Sequence, residues 1–312
     1  MSSIQMQAIR ITTADMTGDG LGKMFDTGLD PMHLREVIEI NQAAMPLQEG
    51  VTYEECMMGG VESELSMPTF AREDAVIFYI HGGGLVCGTA KTSRGYAGML
   101  AGESRIPVYA CTYGLAPENP FPDGLNDCVV VYKAILEKHP DVPVYLIGES
   151  GGALLSVAAA LKLRDEGDVQ MPAGVIAYSP VMDFSGALDR SWAGWDESTV
   201  TNESICKDLA DLYCPDRKTR TNPLCSPYYA DFTGFPPLYV VWDKGETLAA
   251  DAEELIEKAR TARVPVEFDR YEGCFHAFAP VGRNAPEGAK LLDDTVAFIY
   301  RHLHDQKLDW EE

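Results

Sequence analysis

The sequence predicts an α/β fold: a mostly parallel central sheet with helices on both faces. Three observations carry that expectation. Short apolar runs that read as strands buried on both faces recur at Ala75–Ile80, Val108–Thr112, Val144–Ile147, Val175–Tyr178, Leu238–Trp242 and Val264–Phe268. Amphipathic or apolar helical patterns lie between most of them, at Tyr96–Glu103, Leu125–Lys138, Ala153–Arg164 and Ala250–Arg263, and Leu291–His302 follows the last strand. Strand and helix alternating in this way imply crossover connections, and hence parallel strands covered on both sides. Finally, the alternation breaks only once, between about Phe184 and Cys225, and an insertion of that length in a compact domain is usually functional.

The elements can be justified in chain order. Asp30-Pro31 opens an amphipathic patch, Met32-Leu34-Val37-Ile38, with an Asp N-cap and Pro at the first helical position. Val51–Met57 and Val61–Met67 alternate loosely around Gly59-Gly60, which reads as a β-hairpin with a tight glycine turn. The core is then expected over 49–183 and 226–312, with a cap made from about 1–48 and 184–225, all within a single domain. No internal repeat interrupts this plan.

Composition narrows the function. The 312 residues are 46% hydrophobic and 23% charged, enough for a large core, and the formal charge is −23. Such an acidic chain repels phosphate backbones and anionic lipid headgroups, and no basic run offsets this, so neither nucleic acid nor a membrane is the expected partner. The apolar stretch at 153–161 is far too short for a membrane span. The first residues lack the basic-then-apolar pattern of a secretory signal. The eight cysteines include no Cys-x-x-Cys pair, so reduced thiols in a cytoplasmic protein are expected. No metal-ligand spacing appears, and no cofactor is called for.

Gly148-Glu149-Ser150-Gly151-Gly152 joins the strand 144–147 to the helix from Ala153. This is Gly-x-Ser-x-Gly in the strand–turn–helix context of a nucleophile elbow, where a sharp turn leaves no room for neighbouring side chains. The turn also sets Ser150 at a helix N-terminus, which favours developing negative charge. His81-Gly82-Gly83-Gly84 closes the strand 75–80, and the amides of Gly83 and Gly84, with that of Gly151, form an expected oxyanion hole. A phosphate loop would need Gly-x-Gly-x-x-Gly or a following Lys-Ser/Thr, and neither is present. Of six histidines, His276 stands where a base should, on a loop beyond the carboxyl end of the last strand. The acid should follow the strand 238–242. Glu246 lies in that loop with reach towards His276, and Asp243 and Asp251 are the alternatives.

With these residues in place, the chain from about residue 75 onwards resembles the hormone-sensitive-lipase-like bacterial carboxylesterases of the α/β-hydrolase superfamily. The resemblance rests on His81–Gly84, Gly148–Gly152, the block Tyr113-Gly-Leu-Ala-Pro-Glu-Asn-Pro-Phe-Pro122 with Asp127, Ser179-Pro180 with Asp183, Ser226-Pro227, Pro236-Pro237 and Glu246-x-Leu-x-x-Asp251. It departs from the common Gly-Asp-Ser-Ala-Gly elbow at Glu149 and Gly151. The resemblance implies Glu246 as the acid, a helical cap, and hydrolysis of short- to medium-chain acyl esters through an acyl-enzyme on Ser150. It is also compatible with a homodimer.

An amide hydrolase would use the same triad, and a non-catalytic small-molecule receptor would use the same fold. Trp192, Trp195 and Tyr213, with Phe25 or Met24, either line the substrate pocket or form the cap's own small core. Cys87 and Cys274 flank the oxyanion loop and the base in sequence, so a bulky thiol reagent is expected to slow the enzyme.

Overall fold

A computed structural model describes residues 2–16, 29–43, 46–190 and 202–308. Eight strands form one sheet in the order β1-β2-β4-β3-β5-β6-β7-β8. They are β1 (Val51–Met58), β2 (Val61–Pro68), β3 (Val76–Ile80), β4 (Val108–Cys111), β5 (Val144–Glu149), β6 (Gly174–Tyr178), β7 (Leu238–Asp243) and β8 (Val266–Tyr271). The first two pair antiparallel with each other, β2 pairs antiparallel with β4, and every later pairing is parallel. The β1–β2 turn is Gly59-Gly60, with φ of +60° and +90°, the left-handed region that a two-residue hairpin turn demands.

Eight α-helices accompany the strands among the described residues: α1 (Ile4–Met16), α2 (Pro31–Ala43), α3 (Arg94–Ser104), α4 (Asp123–Lys138), α5 (Gly151–Glu166), α6 (Glu203–Tyr213), α7 (Ala249–Thr261) and α8 (Pro286–Leu308). Two cores follow from the two faces of the sheet. Residues of α4, α5 and α7 pack with Phe78, Leu146 and Val240 on one side. Residues of α1, α3 and α8 pack with Ile77, Ile147 and Val241 on the other. Successive strand residues point to opposite faces, so central strands buried on both sides read as unbroken apolar runs. Helix α5 has an equally simple cause: its Ala- and Leu-rich first three turns are buried from Gly151 to Leu161.

Two elements differ from the sequence expectation. The last strand runs from Val266 to Tyr271 rather than over Val264–Phe268, and its residues are alternately exposed and half-buried. It is an edge strand, covered less completely than those inside the sheet, so its apolar residues mark the strand poorly; Val264 is buried in the turn after α7 instead. Helix α1 was not expected. Ser3 caps it by accepting from the Met6 amide at 3.1 Å and donates its hydroxyl to Glu287 of α8 at 2.7 Å, which seats Met6 in the core. As expected, Asp30 caps α2, accepting from the amides of Met32 and His33 at 3.0 and 3.3 Å.

Candidate active site

Strand register decides which loops meet. Ile80 lies opposite Gly148, so the chain leaving β3 as His81–Gly84 runs beside the chain leaving β5 as Glu149-Ser150. Glu149 lies opposite Tyr178, which sets Ser179 next to Ser150, and Asp243 lies opposite Tyr271, which sets the β7 and β8 loops side by side. All five loops open at the carboxyl edge of the parallel strands, where ligands bind in open α/β sheets.

Ser150 is held at φ +52° and ψ −118°, a strained conformation for a residue with a side chain. Its amide donates to the Tyr178 carbonyl at 2.8 Å, and its own carbonyl accepts from Ala153 and Leu154, so both flanks of the turn are fixed. The flanking glycines follow from close packing. A Cβ on Gly148 would stand 2.2 Å from the Gly152 carbonyl oxygen, and one on Gly152 would stand 2.1 Å from that of Ile80. Any side chain at either position would force strand and helix apart.

His276 Nε2 lies 2.9 Å from Ser150 Oγ, and its Nδ1 lies 3.4 Å from Glu246 Oε1. Glu246 is almost wholly buried, and its Oε2 accepts from the Ser179 hydroxyl at 2.8 Å and the Asp243 amide at 3.3 Å. Of the three carboxylates in reach by sequence, Glu246 therefore meets the imidazole. The other two are engaged elsewhere. Asp243 accepts from the amides of Gly245 and Cys274, both at 2.8 Å. Asp251 forms a buried pair with Arg190, Nε to Oδ2 at 2.6 Å, and also accepts from the Met182 amide at 2.7 Å.

Gly83 and Gly84 adopt φ of +108° and +60°, turning the loop sharply after His81. The Gly83 carbonyl accepts from Val86 and Cys87, and no protein acceptor is found for the amides of Gly83, Gly84 and Gly151 among the described residues. Three vacant donors beside a serine hydroxyl suit a developing oxyanion. Helix α2 is tied to this loop: Arg35 donates to the carbonyls of Val86 at 2.7 Å and Ala116 at 2.9 Å and pairs with Glu118.

Sequence reasoning missed the part played by Ser179. Besides holding Glu246, its hydroxyl accepts from the Ala277 amide at 3.1 Å, joining the acid to the loop that carries the base. Its place just beyond β6 was a usable signal, since that strand lies next to the one bearing Ser150. Of the residues considered for the pocket, Tyr213 is packed inside, edge-on to Phe121 and tilted against Phe184, and lines neither cleft at the site. It belongs to the main core on one face of the sheet, rather than to a pocket wall or to a separate small core of the cap. Phe25, Trp192 and Trp195 lie outside the described residues. Cys87 is fully buried and its thiol is pushed up to about 12 by burial. Cys274 is also buried and its thiol is likewise raised, so neither offers a thiolate to a reagent.

Two clefts lie beside the glycine loop, one of them at the serine itself. A narrow apolar one, of about 20 Å³, is lined by Gly84, Leu85, Val181, Phe184, Leu209 and Leu248 around Ser150. A wider one, of about 100 Å³, lies across the glycine loop and is lined by polar side chains including His81, Thr92, Ser93 and Glu149.

Residues 77–280 match the family described as alpha/beta hydrolase fold. An acetyl-hydrolase of Streptomyces hygroscopicus is 33% identical over 237 residues, covering 73% of this chain and 77% of that protein. An esterase of Acinetobacter venetianus is 28% identical over 271 residues, covering 86% and 89%. Among solved structures, an esterase from the bacterial hormone-sensitive lipase family superposes with a TM-score of 0.87 at 28% identity, covering 97% of this chain and 100% of that one. A mutant of the esterase E40 gives 0.88 at 30% identity, covering 96% and 99%. The sheet order, the elbow and these likenesses agree: the chain belongs to the hormone-sensitive-lipase family of the α/β-hydrolase fold and is a carboxylic ester hydrolase.

Proposed function

We propose that Ser150, His276 and Glu246 are the catalytic triad of a serine esterase acting on short- to medium-chain acyl esters, with the amides of Gly83, Gly84 and Gly151 as its oxyanion hole. The observation that carries this reading is the continuous contact from Ser150 Oγ through His276 to Glu246. In the first step His276 Nε2 takes the hydroxyl proton as Oγ attacks the ester carbonyl, and the three amides hold the resulting oxyanion. Glu246 keeps the proton on Nδ1 and offsets the imidazolium charge. As the tetrahedral intermediate collapses, Nε2 gives its proton to the leaving alcohol. Water then repeats the cycle on the acyl-enzyme, releasing the acid and restoring Ser150.

The narrow apolar cleft beside Ser150 supports the short end of that acyl range. Segments 1–48 and 184–225 form the cap in this reading, which is supported by α2 fastened over the glycine loop and by Cys206 and Leu209 of α6 against the serine. Intact-mass detection of a fluorophosphonate adduct tests the nucleophile: a single adduct on the wild type and none on Ser150→Ala is the expected result. A p-nitrophenyl ester series with matched amides then reads acyl length and the preference for ester over amide. Faster turnover of the amides would make the enzyme an amidase.

A further inference from the structure

The wider cleft raises a question that the triad does not answer. It is lined by Ile38 of α2, Tyr79, His81, Thr92, Glu149 and Pro280, and it sets an imidazole and a carboxyl group beside the oxyanion loop. Two of its buried polar atoms, Glu149 Oε2 and His81 Nε2, have no hydrogen-bond partner. Native proteins leave few such atoms, and each costs free energy unless something fills the site.

His81 Nε2 is an acceptor, and Glu149 Oε2 is one once its carboxyl, raised by burial to about 7, has lost its proton. His81 Nδ1 lies 2.8 Å from the Gly82 carbonyl, so Nδ1 carries the proton and Nε2 is a bare lone pair. Burial also holds the His81 imidazole neutral, its pKa lowered to about 4. Burial is the main influence on Glu149 and raises its carboxyl; His276 and a hydrogen bond with the Tyr79 hydroxyl favour the ionised form. A Cβ on Gly82 would stand 2.9 Å from Glu149 Oε1, so the carboxyl group lies directly against the oxyanion loop. Around these acceptors the wall is well ordered. Tyr96 donates to Tyr178 at 3.1 Å, and Tyr178 is bonded to Thr295 at 2.7 Å, so the Tyr96 hydroxyl is already committed as a donor.

The leaving alcohol must depart within reach of His276 Nε2, which supplies its proton. The polar cleft contains Pro280, from the segment that follows His276, and Glu149, which precedes Ser150 in the elbow and lies against the oxyanion loop. The apolar cleft, in contrast, is closed by α6 and Leu248. We infer that the polar cleft is a subsite for the alcohol half of the ester, and that it selects leaving alcohols bearing an O–H or N–H donor, which Glu149 accepts with His81 Nε2 beside it. This assignment rests on the esterase reading above. It makes Glu149 a specificity residue as well as part of the elbow.

Four acetates test it, in pairs of similar shape: 2-(dimethylamino)ethyl acetate, protonated at neutral pH, against 3-methylbutyl acetate, and 2-hydroxyethyl acetate against propyl acetate. Hydrolysis of p-nitrophenyl acetate by the same preparation is confirmed first, so that failure of the esterase reading is recognised separately. The ratio of kcat/KM within each pair is then compared between wild type and Glu149→Gln, which cancels both intrinsic ester reactivity and any general loss of rate. A hydrogen bond to a charged group is worth roughly 1.5–3 kcal/mol, so the ammonium pair should lose about tenfold or more of its ratio in the variant, and the hydroxyl pair less. A larger loss for the ammonium ester identifies a charged donor as the preferred ligand; equal losses identify a neutral hydroxyl.

Unchanged ratios for both pairs would overturn the inference. So would a Glu149-dependent preference for ethyl 3-hydroxybutanoate over ethyl 3-methylbutanoate, which would put the donor on the acyl side. Should Glu149→Gln not fold, competitive inhibition of the wild type decides the matter. 2-(Dimethylamino)ethanol should inhibit p-nitrophenyl acetate hydrolysis at least tenfold more strongly than 3-methylbutan-1-ol, and equal inhibition constants would refute the subsite.

Discussion

Replacing Glu149 by Gln should change how stability depends on pH, in a direction fixed by two buried groups that titrate against each other. Burial raises the Glu149 carboxyl from 4.5 to about 7. Between those values the folded protein keeps a proton that the unfolded chain has lost, so this group lowers stability as pH rises from 4.5 to 7. At 1.36 kcal/mol per pH unit the loss is about 3 kcal/mol. His81 works in the opposite sense. Its folded pKa is lowered from 6.5 to about 4, so stability falls as pH drops from 6.5 to 4, again by about 3 kcal/mol. Across pH 4.5–6.5 the two effects nearly cancel in the wild type. Glu149→Gln removes one of them, so relative to wild type the variant should gain about 3 kcal/mol between pH 4.5 and pH 8. Urea unfolding of both proteins at half-unit intervals of pH measures this directly. His81→Asn provides the mirror experiment, with wild type losing about 3 kcal/mol relative to the variant between pH 7 and pH 4. Parallel stability curves for wild type and Glu149→Gln would refute the burial argument, and with it the unpartnered carboxylate at the cleft.

Other predictions follow from single contacts. Ser179→Ala removes the donor to Glu246 and the acceptor for Ala277, and should lower kcat about tenfold with KM little changed, as measured with p-nitrophenyl acetate. Glu246→Gln should lower kcat by roughly 10³–10⁴ by favouring the wrong imidazole tautomer, while Asp243→Asn should keep far more activity. Asp251→Ala removes the carboxylate paired with the buried Arg190 guanidinium and should cost about 3–5 kcal/mol in urea unfolding. Contrary to the sequence expectation, a bulky thiol reagent at neutral pH should leave Cys87 and Cys274 unmodified in the folded enzyme and activity intact, as read by peptide mass mapping beside the rate.

Much of the molecule was legible because its central strands and α5 are buried on all sides, which leaves continuous apolar text between glycine-marked turns. The elbow could be read for the same physical reason: two backbone segments meet at Gly148 and Gly152 with no room for a Cβ. The sequence was less informative where burial is partial. Strand β8 lies at the sheet edge and alternates, so its boundaries slid by two or three residues. Helix α1 depends on contacts with Glu287, almost three hundred residues away, and a local pattern cannot report such a partner. Position and resemblance pointed to Glu246 over Asp243 and Asp251, and the contacts show why: Asp243 ends β7 and Asp251 lies in the first turn of α7, each with other partners. Ser179 was visible as a motif residue, but its task depends on a register between β5 and β6 that no spacing reveals.

Asp243 has a consequence for anyone recombining members of this family. One of its oxygens holds the loop that carries Glu246 and the other holds the loop that carries His276. The two loops are therefore not interchangeable parts. A chimaera that imports either one from a relative must also import a strand-end carboxylate matched to both, or the acid and the base will be placed independently of each other. Crossover points between β7 and β8 should accordingly be avoided, and the stretch from Leu238 to Ala277 exchanged as a single cassette.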